Sequence, residues 1–371
     1  MCRSPDRSSR TTIATEPGAA GEAPARYFSP PRGVSFGVAN VQEKAVLEKT
    51  LKLLSSYPPG TYLPDDVECY DAQELAELGA VLRRLIFSPS SLRKVLQDKF
   101  GVTVTRSDFY SEIPRISEIE KAFQTPSLLK LDQVFPDNEQ MIAELERLTP
   151  AAESFAPPMT TDSPYEFAWK GGPFGYSDAP AYYAMIRTRK PKNIIEIGSG
   201  WSTRIARAAC KENGFGRIVC VEPFPSEALR SLPDIELVEK RAQDVELSFF
   251  ENILEDGDFL FIDSTHTIKH DSDCLHIYLR ILPNLTKRNI VHVHDVFLPN
   301  EQNIKVMRDK QIFWNEQYML YLYLLLSRRT RVLFGSAYHF KHNRALLEKL
   351  MYGRFAAGGG SLWFEQRVAT P

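Results

Sequence analysis

Ten residues constrain this chain more than any others: Ile194-Ile195-Glu196-Ile197-Gly198-Ser199-Gly200-Trp201-Ser202-Thr203. An apolar run suited to a buried strand stops at a glycine loop, and the loop opens a helix. Glycines let a backbone turn tightly and approach a ligand, while a helix start offers unpaired amides and the positive end of a dipole. Two details narrow the ligand. Thr203 stands where the dinucleotide fingerprint has its third glycine, so close packing around a pyrophosphate is not encoded. Glu196, at the strand's carboxyl end, would repel a pyrophosphate but suits a ligand carrying an ammonium and a sulfonium.

The flanking sequence extends this unit into a sheet. Ser177-Asp178-Ala179-Pro180 reads as a helix start with proline in the first turn, leading through Tyr182, Tyr183, Met185 and Ile186. Short apolar runs then alternate with helical stretches: Asn193 to Ile197, Arg217 to Val221, Ile235 to Val238, Asp258 to Ile262 and Ile290 to Val293. Strands apolar on both faces predict an α/β fold with a parallel sheet covered by helices on both sides. Two more runs, Arg331 to Phe334 and Ser361 to Glu365, are separated by a helix from Asn343 to Met351 and by Gly358-Gly359-Gly360.

Upstream, Val41 to Leu54, Ala72 to Phe87, Ser91 to Phe100 and Asn138 to Leu148 show apolar residues at helical spacing. Residues 1–36 are rich in Pro, Gly, Ala, Ser and Arg without periodicity, the composition of a disordered tail. The predicted division is therefore a tail over 1–36, a mainly helical domain over 37–160, and the sheet domain over 161–371. The helical domain reads as a lid over the site or as a face that pairs two copies.

Composition excludes several classes of function. The 45 basic and 47 acidic residues balance to a net charge of -2, so nothing marks a nucleic-acid or anionic-membrane partner. Five scattered cysteines, an odd number without C-x-x-C spacing, suit a reducing, cytoplasmic setting. The longest wholly apolar run, Tyr318 to Leu326, is far shorter than the roughly 18 to 20 residues of a membrane span.

Acidic residues mark the next two strand ends. Glu222, following Cys220-Val221, is placed to accept hydrogen bonds from ribose hydroxyls, and Asp244, in Ala242-Gln243-Asp244, to receive an adenine amino group. Together with Glu196-Ile197-Gly198-Ser199-Gly200 they resemble the first three motifs of class I S-adenosylmethionine-dependent methyltransferases. The resemblance runs from about Gly172 to Gln366, and its FGYSDAP and IIEIGSGWST segments look like small-molecule tailoring and glycan-modifying members. It implies a Rossmann-like seven-stranded sheet closed by an antiparallel hairpin. It also implies S-adenosylmethionine as cofactor, held by Glu196, Gly198, Ser199, Gly200, Trp201, Ser202, Glu222, Asp244 and Asp263, and a small-molecule acceptor.

The other end of the site is read from its titratable groups. Five of the seven histidines fall between His266 and His294. The fourth strand runs into Asp263-Ser264-Thr265-His266 and the fifth into His294-Asp295, at the edge where open α/β sheets bind ligands. Methyl transfer to a hydroxyl needs a proton acceptor. His266 or His294 as general base is one design. In the other, Asp263 and Asp295, which match the magnesium-binding carboxylates of catechol-type O-methyltransferases, hold a divalent cation such as magnesium that activates the hydroxyl. That pattern places Asn after the second carboxylate, where this chain has Val296; Asn315 is the candidate replacement, although the polar cluster Trp314-Asn315-Glu316-Gln317 reads first as a helix start. Phe174, Tyr176, Tyr182, Trp201 and Phe297 are candidate pocket walls. A nicotinamide-dependent oxidoreductase and a non-catalytic adenosine-binding scaffold are the competing readings. The missing third glycine disfavours the first, and the gathering of His and Asp at the sheet edge the second.

Overall fold

The computed structural model describes residues 41–55, 70–125, 127 and 129–367. The tail read over 1–36 lies outside the described residues. The chain divides into two compact units, up to Pro114 and from Arg115 onward. The first unit holds the helices Val41–Ser55, Ala72–Ile86 and Ser90–Phe100. Ala72–Ile86 starts on a capping box in which Asp71 and Glu74 each accept from the other's backbone amide.

The second unit is built on seven strands: β1 Asn193–Ile197, β2 Arg217–Val221, β3 Ile235–Val238, β4 Phe259–Ile262, β5 Asn289–Val293, β6 Thr330–Gly335 and β7 Leu362–Gln366. They form one sheet in the order β3-β2-β1-β4-β5-β7-β6. β1 to β5 are parallel, whereas β7 is antiparallel to both β5 and β6. The hairpin implied by the family resemblance is therefore present, with the last strand inserted inside the sixth.

Alternation along each strand divides the core into two layers. Ile194, Cys220, Phe259, Phe261 and Trp363 pack with Tyr182, Ile205 and Leu347, from the helices Asp178–Arg189, Trp201–Asn213 and Arg344–Leu350. Ile195, Ile197, Val219, Leu260 and Ile262 pack on the opposite face with Phe250, Ile277, Leu320 and Leu324. A strand covered on both faces admits polar groups only where they find internal partners or at its tip.

The helix Asn138–Ala152 corrects the expected boundary near residue 160. Leu145 and Leu148 are fully buried in the first layer, so this helix belongs to the sheet unit, and the division falls at Pro114. The end of this helix and the residues just after it are held to the same unit, because the Arg354 guanidinium donates to the carbonyls of Ala152 (3.0 Å) and Phe155 (2.8 Å). Among the described residues, no helix is long and apolar enough to cross a membrane.

Candidate active site

At the carboxyl edge the three central strand tips are stitched by backbone bonds. Gly198 N donates to Val221 O (3.0 Å), and Asp263 N to Ile197 O (2.8 Å). Gly198 has φ +78°, and a Cβ there would stand 1.9 Å from the Asp263 carbonyl oxygen, so only glycine fits. Beyond it, Ser199 N donates to a Glu222 carboxylate oxygen (3.3 Å), which ties the loop to the tip of β2. A Cβ on Gly200 would meet no atom within 4 Å, so the loop keeps an open side. Gly198, Ser199, Gly200, Glu222 and Asp263 are thus brought together, as the sequence predicts.

Glu196 is placed differently. Its carboxylate is fully buried and accepts from Tyr182 OH (2.9 Å) and Thr203 Oγ1 (2.5 Å), with Ser202 hydrogen-bonded to it as well. Burial pushes its carboxyl up to about 7, against the lowering effect of those hydroxyls. The reason is its register: residue 196 faces the helical layer beneath the loop, so Glu196 and Ser202 fasten the loop from below instead of meeting a cation above it. Tyr182 is likewise core and not pocket wall. Trp201 lies against Gly171 and Gly172, where a Cβ would come within 2.1 and 2.7 Å of the indole, and under the Arg204 guanidinium at 4.3 Å. Asp244 is exposed, and Arg241 binds both of its oxygens at 2.7 Å.

Asp263, His266, His294 and Asp295 do converge. His266 Nε2 stands 3.3 Å from Asp263 Oδ1 and 3.6 Å from Asp295 Oδ2. His294 Nδ1 stands 3.4 Å from the same Asp263 oxygen and 3.8 Å from Asp295 Oδ1. The imidazoles are almost covered, at 8% side-chain exposure, while Asp263 (33%) and Asp295 (26%) form the opening. Burial opposes the imidazolium form. Hydrogen bonds to Asp263 and Glu316 nevertheless raise His266 to about 10, and the Asp263 charge with bonds to Asp178 and Asp263 raises His294 well above its usual value. Partial desolvation favours the neutral form of Asp263, yet the His294 charge and bonds from both rings hold it well below the carboxylate range. Asp295 is pushed up by burial.

Backbone strain gathers here. His266 (φ +56°), Asp295 (φ +52°) and Tyr176 (φ +48°) all occupy the left-handed region, which costs a residue with a Cβ on the order of 1–3 kcal/mol. Phe174 is buried against His294 with ring centroids 4.6 Å apart, and Trp314 lies against His266 at 4.8 Å.

The divalent cation expected at Asp263 and Asp295 does not fit this arrangement. Among the described residues, no three His, Cys, Asp or Glu side chains are disposed to hold a metal ion. The expected third position, Val296, is apolar and buried, and the Asn315 amide is committed to the loop, accepting from Ile268 N at 2.5 Å.

Residues 195–296 match the family model described as a methyltransferase domain. An uncharacterized protein of Archaeoglobus fulgidus is 34% identical over 159 residues, covering 40% of this chain and 72% of the relative. The chain belongs to the class I S-adenosylmethionine-dependent methyltransferase family. An O-methyltransferase from Bacillus cereus solved in complex with SAH aligns at 16% identity with a TM-score of 0.32, covering 67% of this chain and all of that one. A putative O-methyltransferase from Klebsiella pneumoniae aligns at 14% identity with a TM-score of 0.30, covering 64% and 94%.

Two residues of this methyltransferase's site escape the sequence reading. Asp178 contacts His294 Nε2 at 3.4 Å, and Glu316 accepts from His266 Nδ1 at 2.8 Å. Asp178 reads as an ordinary helix cap, and Glu316 as one of a polar cluster at a helix start. The signal was available: each opens a helix whose following residues are largely apolar, so each acid enters the core beside a buried face. The remaining three clustered histidines are outside the network: His292 shares a hydrogen bond with Ser361 Oγ (2.7 Å) in the core, His276 is half-buried in its helix, and His270 is exposed.

Proposed function

We propose that this methyltransferase methylates a hydroxyl oxygen of a small molecule, a sugar or a hydroxylated secondary metabolite. The observation that carries the reading is the contact between Gly198 and Asp263, which puts the glycine loop directly against the carboxylate opening of the His/Asp network. The loop's open side at Gly200 and the Glu222 carboxylate beside Ser199 suit S-adenosylmethionine. When bound, that cofactor supplies an electrophilic methyl group on a sulfonium.

The chain's own residues supply the rest. With both imidazoles held protonated by their carboxylate neighbours, the proton acceptors at the opening are Asp263 and Asp295. Asp263, kept ionised by two rings, accepts the hydroxyl's hydrogen bond and orients its oxygen. Asp295, made more basic by burial, takes the proton that the acceptor hydroxyl loses. The general-base role read for His266 and His294 thus passes to the carboxylate they flank, and the rings hold the charge of the network. The Trp314 ring against His266 and the half-exposed Tyr176 offer apolar faces of the kind that sugar rings stack on.

Purified protein supplied with methyl-labelled S-adenosylmethionine and panels of sugars, phenols, amines and thiols tests this reading. Label appearing on oxygen is the expected result. Asp295→Asn then lowers transfer by roughly 10²- to 10⁴-fold, the usual worth of a general base, with S-adenosylhomocysteine affinity kept. Label on nitrogen or sulfur alone, or undiminished transfer by the variant, would overturn it.

A further inference from the structure

The two histidines are fixed from outside the opening by a pair of buried carboxylates that never reach it. Glu316 Oε2 accepts from His266 Nδ1 (2.8 Å) and Ser264 Oγ (2.7 Å), and its Oε1 accepts from Tyr278 OH (3.0 Å). Tyr278 sits in the π-helical turn Ile277–Ile281, a widened turn of the kind that gathers at functional sites. Asp178 is anchored just as fully, accepting from Ser336 Oγ (2.5 Å), Ser361 N (3.0 Å) and Gly360 N (2.9 Å), and contacts His294 Nε2 (3.4 Å). Both carboxylates are nearly inaccessible, with side-chain exposures of 2% and 4%.

The two rings use opposite nitrogens. His266 gives Nδ1 to Glu316 and turns Nε2 to Asp263 and Asp295; His294 gives Nε2 to Asp178 and turns Nδ1 to the same pair. A half-turn of either ring would aim carbon at the opening. Packing against Trp314 or Phe174 does not prevent this, because the two edges of an imidazole have nearly the same shape. An acceptor that recognises one nitrogen does prevent it.

We propose that Glu316 and Asp178 are positioning residues, which act through His266 and His294 to hold one nitrogen of each ring on the Asp263 and Asp295 carboxylates. Their relevance to methyl transfer rests on the function proposed above; the positioning itself does not. Tyr278 belongs to the same device, because it sets the orientation of the Glu316 carboxylate.

Nitrogen-15 labelling of histidine in the full chain, with long-range proton–nitrogen correlation spectra, reads ring protonation and tautomer directly. His266 signals are assigned by their loss in His266→Asn. The expected wild-type spectrum shows a proton held on His266 Nδ1 in a strong hydrogen bond. Glu316→Ala loses that proton's signal, added formate restores it by filling the vacated space, and Tyr278→Phe weakens it. S-adenosylhomocysteine affinity, titrated calorimetrically on the same samples, stays within about threefold, which is under 1 kcal/mol. Once an acceptor is known, kcat falls by roughly 10- to 100-fold with little change in KM, as for other outer groups that orient a ligating histidine. Unaltered His266 signals in a folded Glu316→Ala protein overturn the proposal. If that variant does not fold, unaltered signals in Tyr278→Phe overturn it. Failure of the wild type to bind S-adenosylhomocysteine would instead sink the methyl-transfer reading and leave the ring measurement standing.

Discussion

Replacing Gly198 with alanine is the sharpest test of how the loop and the reaction centre are joined. The added Cβ would lie 1.9 Å from the Asp263 carbonyl oxygen and 2.9 Å from its carbon. No side-chain rotation relieves that contact, because the obstacle is backbone pinned by the Asp263 N to Ile197 O bond of 2.8 Å. The strand tips must therefore separate. The left-handed conformation at φ +78° costs alanine about 1–2 kcal/mol, and overpacking adds about 1–3 kcal/mol. The sum, about 2–5 kcal/mol, corresponds to a fall in Tm of roughly 4–20 °C for a domain of this size. Denaturant melts give the first number and differential scanning the second, with calorimetric titration showing at least a tenfold loss of S-adenosylhomocysteine affinity. Gly79→Ala is the control: it lies within a helix, its Cβ would meet nothing within 4 Å, and it should stabilise by up to about 1 kcal/mol. A Gly198→Ala protein within about 0.5 kcal/mol of wild type and with full affinity would refute the claim that the loop rests on Asp263.

Other outcomes follow from charge. Glu196 rises to about 7 in the folded chain from 4.5, so the native state keeps its proton between those values and stability falls as pH climbs through that window. Glu196→Gln, which keeps partners for both hydroxyls, should be more stable than wild type at pH 8.5 by about 3 kcal/mol at 1.36 kcal/mol per unit, and nearly equal at pH 4.5; equal stability at both would contradict the buried carboxyl. His266 has the same sign in a higher window: raised to about 10, it contributes stability that is complete below about 6.5 and lost as pH rises towards 10. His266→Gln should therefore cost more at pH 6 than at pH 10.5 in denaturant melts, and a pH-independent cost would argue against the imidazolium network. At the cofactor end, Glu222→Ala should weaken S-adenosylhomocysteine binding by roughly 10- to 100-fold, as befits a charged hydrogen-bonding group. Asp244→Ala should weaken it less, because Arg241 already occupies both Asp244 oxygens.

Strands were the most legible part of the fold, because a strand buried on both faces has to be apolar throughout. The runs Asn193 to Ile197, Arg217 to Val221 and Ile235 to Val238 coincide with β1, β2 and β3. The order in which β7 enters between β5 and β6 was carried only by the family resemblance, since nothing local in Ser361 to Glu365 specifies its neighbours. At the site, strand ends were enough to group Asp263, His266, His294 and Asp295. Side-chain direction was not legible: the strand period assigns Glu196 to a face but does not say whether that face is solvent or helix. Asp178 and Glu316 lie far from their histidines in sequence, 116 and 50 residues away, and only the folded chain reveals those pairings.

The Asp178 anchor also bears on when the site comes into being during synthesis. Its amide donors, Gly360 and Ser361, emerge 182 and 183 residues after it. β1 to β5 are able to pair as they appear, but His294 lacks its orienting partner until the final strand has slotted between its neighbours. Such long closures are slow relative to local pairing. A nascent chain stopped before Gly358 should therefore hold most of its sheet yet have no organised reaction centre, so that competence for chemistry arrives only once β7 has been made.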